Sequence, residues 1–273
     1  MSFKLKVLIT GAAGEIGRVI SPELAKHYDV VLTDICEPEV QPYHFKKADI
    51  TDMRAMQTVC SGVDTVLHLA ADARDTAPWE SLLPNNIIGT YTIFQAAHAA
   101  GCQRVIFASS GHTLSGYPAG IEIKPNAPVR PANLYGTTKV WGEAAARFYA
   151  DQKGLSCICL RLGWVQARDS KVIRPGEAAL DQILTYEDLS RLIMASIEAP
   201  TDLHFGIFYG ISNNRRKRFD LSYTRAVLGY EPEDDAFELA GVSRLPLLNR
   251  FDWNHVQRWL KRHRNNLITG DKL

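Results

Sequence analysis

Hydrophobic and polar positions along the chain alternate between two kinds of segment. Short apolar runs rich in β-branched residues predict strands, and longer amphipathic stretches predict helices. The predicted strands are residues 4–10, 30–34, 43–48, 64–70, 104–109, 156–163 and 205–211. The predicted helices are residues 14–27, 53–60, 79–100, 133–152, 186–198 and 221–228, with a basic amphipathic helix at 251–264. The polar stretches 111–132 and 164–181 predict loops.

This order of elements predicts the fold class. Strands this apolar, separated by helices, are typical of a parallel sheet that is covered on both faces. We therefore expect an α/β fold with a doubly wound parallel sheet of the Rossmann type. We expect residues 1–165 to form the core of this fold, and residues 166–273 to form a small substrate-binding part within the same domain.

Composition narrows the possible partners. The 273 residues are 46% hydrophobic and 22% charged, which is typical of a globular chain, and the net charge of +1 favours neither nucleic acid nor a membrane surface. We find no apolar run of the ~20 residues that cross a bilayer, and no signal-peptide pattern, so we expect a cytoplasmic protein. The five cysteines form no Cys-x-x-Cys pair, so the sequence predicts neither disulfides nor a metal site.

Three glycines follow the first predicted strand and open the first predicted helix. Gly11, Gly14 and Gly17 have the spacing G-x-x-G-x-x-G. A diphosphate needs backbone N–H donors at close range and a helix N-terminus behind them, and side chains would block that approach. In this strand–turn–helix context the pattern predicts a dinucleotide site.

An acidic residue ends the second predicted strand. Asp34 lies 20 residues beyond Gly14, where a carboxylate can accept hydrogen bonds from the adenosine ribose and would repel a 2′-phosphate. We therefore expect NAD rather than NADP, with residues 1–165 as the NAD-binding core, although Asp34 can also simply cap a strand end. Asp49 can contact the adenine or serve as a plain turn residue.

Tyrosine and lysine lie four residues apart in a predicted helix. Tyr135 and Lys139 therefore share one helix face. A free tyrosine has a pKa near 10, but a neighbouring ammonium and a cationic nicotinamide both favour the phenolate. Tyr135 can then accept a hydroxyl proton while hydride leaves for the cofactor. The preceding strand ends at Ser109 and Ser110, which makes this order of residues indicative of a catalytic site.

Taken together, these motifs resemble those of the extended short-chain dehydrogenases/reductases over nearly the whole chain. Further matching stretches are residues 68–71, 86–90 and 107–110. The resemblance implies that Ser110 orients the substrate hydroxyl and that Lys139 also holds the nicotinamide ribose. It implies a cofactor site formed by Gly11, Gly14, Glu15, Ile16, Gly17, Asp34, Asp49, Ile50, Leu69, Ala70, Ala71, Asn86 and Lys139. Ser109 is the weaker candidate, since strand neighbours point to opposite faces.

Residues 77–80, 85–90, 107–112 and 209–214 further resemble the uronate dehydrogenases and related NAD-dependent hexose and hexose-phosphate dehydrogenases. That resemblance implies oxidation of an anomeric hydroxyl to a lactone. It implies a substrate site formed by Arg74, Ser110, Gly111, His112, Tyr135 and Arg174.

The chain departs from that subgroup at the substrate. Gly111 replaces an asparagine, and a serine that contacts the uronate has no clear match. Arg74 and Arg174 can bind an anionic or polar sugar group, or form ordinary surface ion pairs. His112 can donate to a sugar hydroxyl or bond within its loop. Trp164 can shape the sugar pocket or pack in the core.

Three other functions remain open. A nucleotide-sugar epimerase or reductase would use the same catalytic residues, but it usually needs a larger C-terminal lobe. A non-catalytic NAD-binding regulator would not require the serine, tyrosine and lysine that are present here. Nucleic-acid binding through the basic residues 215–218 and 258–264 lacks a recognisable motif, so we expect none. Family members commonly form homo-oligomers through the tyrosine-bearing helix, and the alanines at 144–146 allow close packing there.

Overall fold

The computed structural model describes residues 4–38 and 44–242. Its strands are β1 Lys6–Thr10, β2 Asp29–Asp34, β3 His44–Lys47, β4 Thr65–His68, β5 Arg104–Ser110, β6 Ser156–Leu162, β7 Trp164–Gln166, β8 Ile183–Thr185 and β9 Phe205–Gly210. Its α-helices are α1 Glu15–His27, α2 Met53–Cys60, α3 Trp79–Leu82, α4 Gly89–Ala99, α5 Leu134–Lys153, α6 Tyr186–Ile197, α7 Ser222–Leu228 and α8 Ala236–Leu239.

Seven strands form the main sheet in the order β3-β2-β1-β4-β5-β6-β9, and every neighbouring pair is parallel. The predicted doubly wound α/β fold is therefore confirmed. Two apolar cores lie on opposite faces of this sheet. Along β1, Val7 packs with Leu24 of α1 in one core, whereas Leu8 packs with Met56 of α2 in the other. This alternation follows from the two-residue period of a strand.

The parallel arrangement positions the functional residues. The carboxyl ends of parallel strands meet at one edge of the sheet, and ligands of doubly wound folds bind in the crevice there. The segments that leave β1, β4 and β5 at this edge carry Gly11, Leu69 and Gly111, and all three line one cleft.

Two regions differ from the sequence-based expectation. Residues 164–181 were predicted as a loop, but they begin with β7, which pairs in parallel with the unpredicted β8. Strands of three residues are too short to show an alternating pattern. The predicted helix 79–100 is helical throughout, but Leu83–Ile88 is π-helical. Such widened turns have no simple sequence period and often occur at functional sites.

The C-terminal part is built onto the same sheet, because β9 pairs with β6. The division at residue 165 stays a prediction. The helix predicted at 251–264 and the start of the strand predicted at 43–48 lie outside the described residues. Within the described ranges, no helix is long and apolar enough to span a membrane.

Candidate active site

The glycine loop after β1 forms a cradle that side chains would fill. Gly11 has φ +72°, and a Cβ there would lie 2.7 Å from the Ala70 nitrogen. A Cβ on Gly17 would lie 2.3 Å from the Gly11 carbonyl oxygen. Gly14 caps α1 without a side-chain hydrogen bond, which leaves the helix N-terminus open. These residues fit a diphosphate group, with Glu15 and Ile16 of the first turn beside it in the cleft wall.

Asp34 lies at the end of β2 next to this loop. Its carboxylate accepts hydrogen bonds from the Ala13 N–H at 3.0 Å and the Cys36 N–H at 3.1 Å. A carboxylate has acceptor sites beyond these two bonds. Asp34 therefore holds the glycine loop in place and keeps capacity for the ribose hydroxyls.

Two residues predicted to contact the cofactor have visible structural roles, and their contact with the cofactor stays a prediction. The exposed carboxylate of Asp49 accepts hydrogen bonds from the backbone and hydroxyl of Thr51, both at 2.8 Å, which is a turn role. Ile50 is buried and its side chain packs where a Cβ on Gly89 would lie. Neither residue lines the cleft.

Asn86 belongs to the π-helical turn and connects three segments. Its Oδ1 accepts a hydrogen bond from the Asp72 N–H at 2.8 Å, and its Nδ2 donates to the Asp72 carbonyl at 3.0 Å. Nδ2 also donates to the Thr138 hydroxyl on α5 at 3.1 Å. Asn86 thereby fixes the segment after β4, whose Leu69 and Ala71 line the cleft, against the helix that carries Tyr135.

The predicted catalytic residues come together in the cleft wall, and all three are buried. Ser110 ends β5, while Tyr135 and Lys139 lie one turn apart on α5. The Lys139 ammonium donates to the Ala108 carbonyl at 2.8 Å and lies 5.7 Å from the Tyr135 ring centroid. The start of α5 is fixed by Asn133, which accepts a hydrogen bond from Gly136 N–H at 2.7 Å.

Burial is the largest cause of the pKa shifts of Tyr135 and Lys139. It lowers the pKa of Lys139 to about 8. Burial raises the pKa of Tyr135, the hydrogen bond with the Ser110 hydroxyl lowers it, and the negative charge of Asp72 raises it. The free protein therefore holds Tyr135 as the neutral phenol, so a further positive charge is needed before it can act as a base.

Ser109 also lines the cleft, but its hydroxyl is held by an acidic side chain outside the catalytic set. Its hydroxyl donates to Glu143 of α5 at 2.6 Å, and Glu143 also forms a buried, two-pronged ion pair with Arg161 of β6, each bond 2.8 Å long. Sequence reasoning missed this pair. The sequence offers one indication that Glu143 is buried: it lies one turn beyond Lys139, on the same face of α5.

His112 and Trp164 line the cleft beside the catalytic set. The His112 ring is edge-on to Tyr135 at 5.5 Å, and its Nδ1 bonds to the Asn133 amide at 2.9 Å. Burial lowers the pKa of His112, which favours the neutral ring. Trp164 is partly exposed on the cleft wall, so it is not a core residue.

The two predicted arginines lie in different places. Arg74 lines the cleft, and its Nε donates to Asp72 at 2.9 Å while 68% of its side chain remains exposed. Arg174 is exposed and lines no part of this cleft. An asparagine at Gly111 would crowd its surroundings, because a Cβ there would lie 3.0 Å from Cζ of the buried Phe219.

Residues 7–174 match the model of the NAD dependent epimerase/dehydratase family, and the chain belongs to that family. It is 36% identical over 253 residues to an NAD-dependent glucose-6-phosphate dehydrogenase of Haloferax volcanii, covering 85% of this chain and 94% of the relative. It is 31% identical over 257 residues to an L-arabinose 1-dehydrogenase (NAD(P)(+)) of the same organism, covering 85% and 97%.

A mutant uronate dehydrogenase from Agrobacterium tumefaciens, complexed with NAD, superposes with a TM-score of 0.78 at 31% identity, covering 90% of this chain and 92% of that one. The chain is thus an NAD-dependent oxidoreductase of the CH–OH class. Among the described residues, no group of three or more His, Cys, Asp or Glu side chains is arranged to hold a metal ion.

Proposed function

We propose that the protein oxidises the anomeric C1 hydroxyl of a sugar to a lactone, with NAD as acceptor and Tyr135 as base. The observation that carries this proposal is the convergence of Ser110, Tyr135 and Lys139 on one cleft with the glycine cradle. Relatives named for glucose 6-phosphate, arabinose and uronate support a sugar as substrate, and the arabinose enzyme is named for position 1.

Each residue of the set has a distinct task in this reaction. The Ser110 hydroxyl is near enough to Tyr135 to lower its pKa, so a substrate hydroxyl that meets both groups is oriented by both. The Tyr135 phenolate oxygen takes the proton of the substrate hydroxyl while the C–H bond at the carbon that carries this hydroxyl breaks. NAD, when bound, accepts the hydride from the same carbon. Proton and hydride are both accounted for, and the sugar leaves as the lactone.

Lys139 favours the base form of Tyr135. Its ammonium has three donors, of which the Ala108 carbonyl takes one, so donors remain for the nicotinamide ribose. Its positive charge and that of the oxidised cofactor offset the burial that raises the pKa of Tyr135. The free protein then resists ionisation of Tyr135, and the assembled complex permits it.

Polar contacts to the sugar would come from His112 and Arg74. The His112 ring contacts Tyr135, so a sugar bound there is within its reach. Arg74 is held over the cleft by Asp72 and has exposed donors for a hydroxyl or an anionic group. Arg174 lies outside this cleft, so its proposed contact requires the bound sugar to extend further.

NADH absorbance tests the proposal directly. Purified protein is assayed with NAD, then with NADP, against glucuronate, galacturonate, neutral hexoses and pentoses, and glucose 6-phosphate. Turnover with one sugar class and formation of its lactone are the expected results. No NADH formation with any of these sugars, with NAD binding intact, would refute sugar oxidation and favour nucleotide-sugar chemistry.

A further inference from the structure

A second cavity adjoins the catalytic cleft. It has a volume of about 1140 Å³, against about 730 Å³ for the cleft, and the two share Gly111, His112 and Gln182 as wall residues. We call it the distal cavity and define it by the segments 111–122, 177–182 and 216–219 with Phe237. A substrate that reaches past His112 therefore enters the distal cavity.

The walls of the distal cavity are well fixed. The buried Arg218 guanidinium donates to the carbonyls of Tyr117 at 2.8 Å and Ile121 at 3.2 Å, which ties the loop after β5 to the segment after β9. Phe219 forms a parallel bridge with Ile123 and packs against Gly111. The cavity is thus built by ordered contacts rather than by loosely placed surface chains.

Two cations on its wall lack a carboxylate partner among the described residues. Arg216 is exposed and forms no ion pair there, while neighbouring Arg215 is already bound to Asp235 at 2.7 Å. The Lys217 ammonium donates to the neutral carbonyl of Asn214 at 2.8 Å. Burial and the charge of Arg225 lower the pKa of Lys217, and the weaker influence of the Asp235 and Glu122 charges, which form no ion pair with it, raises it. Both cations can therefore form charge-assisted hydrogen bonds with a bound anion, Lys217 from a partly buried position and Arg216 from an exposed one.

The acidic side chains of the same wall have their own partners. Glu122 pairs with Lys124 at 2.9 Å, and Glu177 accepts a hydrogen bond from the Ala179 N–H at 3.3 Å. Burial raises the pKa of Asp181 and the charge of Arg218 lowers it, so Asp181 faces a cation already. These carboxylates therefore leave Arg216 and Lys217 available to an anion.

We propose that the distal cavity binds the phosphate of a sugar phosphate whose anomeric end lies at Tyr135, an inference that rests on the proposed function. A phosphate ester carries up to two negative charges and three strong acceptor oxygens. The planar fork of Arg216 and the point charge of Lys217 match such a group. The assignment also gives a role to Arg216 and Lys217 of the basic run at 215–218, which do not line the catalytic cleft.

Steady-state kinetics with glucose 6-phosphate and glucose tests this proposal in three variants. Arg216→Ala and Lys217→Met should each lower kcat/KM for glucose 6-phosphate by ~10-fold or more, mainly through KM, since each loses a hydrogen bond to a charged group. Their kcat/KM for glucose should stay within about twofold. Lys171→Ala removes an exposed lysine outside both cavities and should change neither value. Equal losses for both sugars, or no loss, would overturn the proposal, as would a wild type that prefers glucose.

Thermal unfolding with inorganic phosphate reads binding without turnover. Phosphate should raise Tm in the wild type and in Lys171→Ala, and less in Arg216→Ala. Equal shifts in all three proteins would mean that phosphate binds elsewhere, which would refute the distal site. This readout stays decisive if no sugar reduces NAD, a result that would reject the proposed function on its own.

Discussion

At the scale of single residues, the main feature of the site is the buried ammonium group of Lys139. Lys139 is 4% exposed, and the Ala108 carbonyl accepts from it at 2.8 Å. A buried ammonium costs stability unless it is well paired, and proteins retain such costs where function needs them. The role proposed for Lys139 therefore comes with a measurable penalty in the free energy of unfolding.

Lys139→Met should make that penalty visible as a pH dependence. The folded-state pKa of Lys139, about 8, lies below its ordinary value of 10.5, so the penalty is complete below pH 8 and disappears as pH rises toward 10.5. From pH 7 to pH 9 the free energy of unfolding of the wild type should rise by ~1 kcal/mol relative to that of the variant. Urea unfolding at both pH values measures this difference. The same change in the free energy of unfolding for both proteins would contradict it.

Asp34→Ala should weaken NAD binding by ~10-fold and narrow the preference for NAD over NADP, because the ribose acceptor is lost. Asp34 also holds Ala13 and Cys36, so Asp34→Asn serves as the control that keeps an acceptor for the loop and removes the charge. Titration with both cofactors gives the ratio. An unchanged ratio in both variants would rule out the ribose contact.

The residues that could be predicted from sequence are those with a fixed local spacing. The glycines, and the pair Tyr135 and Lys139, each lie within one turn or loop, so their geometry follows from the chain itself. The partners of Glu143 could not be predicted in the same way. Glu143 meets Arg161 only because β5, β6 and α5 pack together, and that packing depends on the whole fold.

At the scale of elements, α5 is fixed to the sheet by a buried ion pair. Glu143 bonds to Ser109 of β5 and to Arg161 of β6, and both charged side chains are 4% exposed. The same helix places Tyr135 and Lys139. The ion pair therefore sets how the catalytic face of α5 lies against the ends of the strands.

Removing one member of this ion pair should lower the free energy of unfolding more than removing both. Glu143→Leu or Arg161→Met should each lower the free energy of unfolding by ~3 kcal/mol or more, since an unpaired buried charge remains. The double variant should recover much of this loss. Urea unfolding of the four proteins completes the cycle. Additive losses would mean that the two charges do not interact.

Long elements were predicted well, and short or irregular ones were not. The helix Met53–Cys60 has the predicted bounds, because a clear apolar period and Asp52 as N-cap define it locally. The strands β7 and β8 stabilise each other through pairing, so neither is visible alone. The π-helical turn at Leu83–Ile88 matters for the site because it aims Asn86 at Asp72 and Thr138.

At the scale of the whole molecule, apolar side chains remain exposed on α4 and α5. Tyr91 of α4 and Phe148 of α5 are each about half exposed, and these helices pack side by side. Exposed apolar surface of this kind is typical of an interface. We propose that it joins two copies of the chain, as expected for a homo-oligomer.

Phe148→Glu should shift that association toward the monomer, because a charge in an apolar interface is costly. Sedimentation velocity should show an oligomer for the wild type and a smaller species for the variant. Ile35→Glu, an exposed apolar position after β2, is the matched control. Wild type that sediments as a monomer, or a variant that sediments unchanged, would argue against this interface.

The central claim is that Tyr135 accepts the proton while hydride passes from a sugar carbon to NAD, and Tyr135→Phe tests it most directly. Phenylalanine keeps the ring contact with His112 and removes only the hydroxyl. With the best sugar of the panel, kcat should fall by at least ~10²-fold, the loss typical of a missing general base, while NAD binding persists. Near-wild-type turnover in Tyr135→Phe would contradict the mechanism.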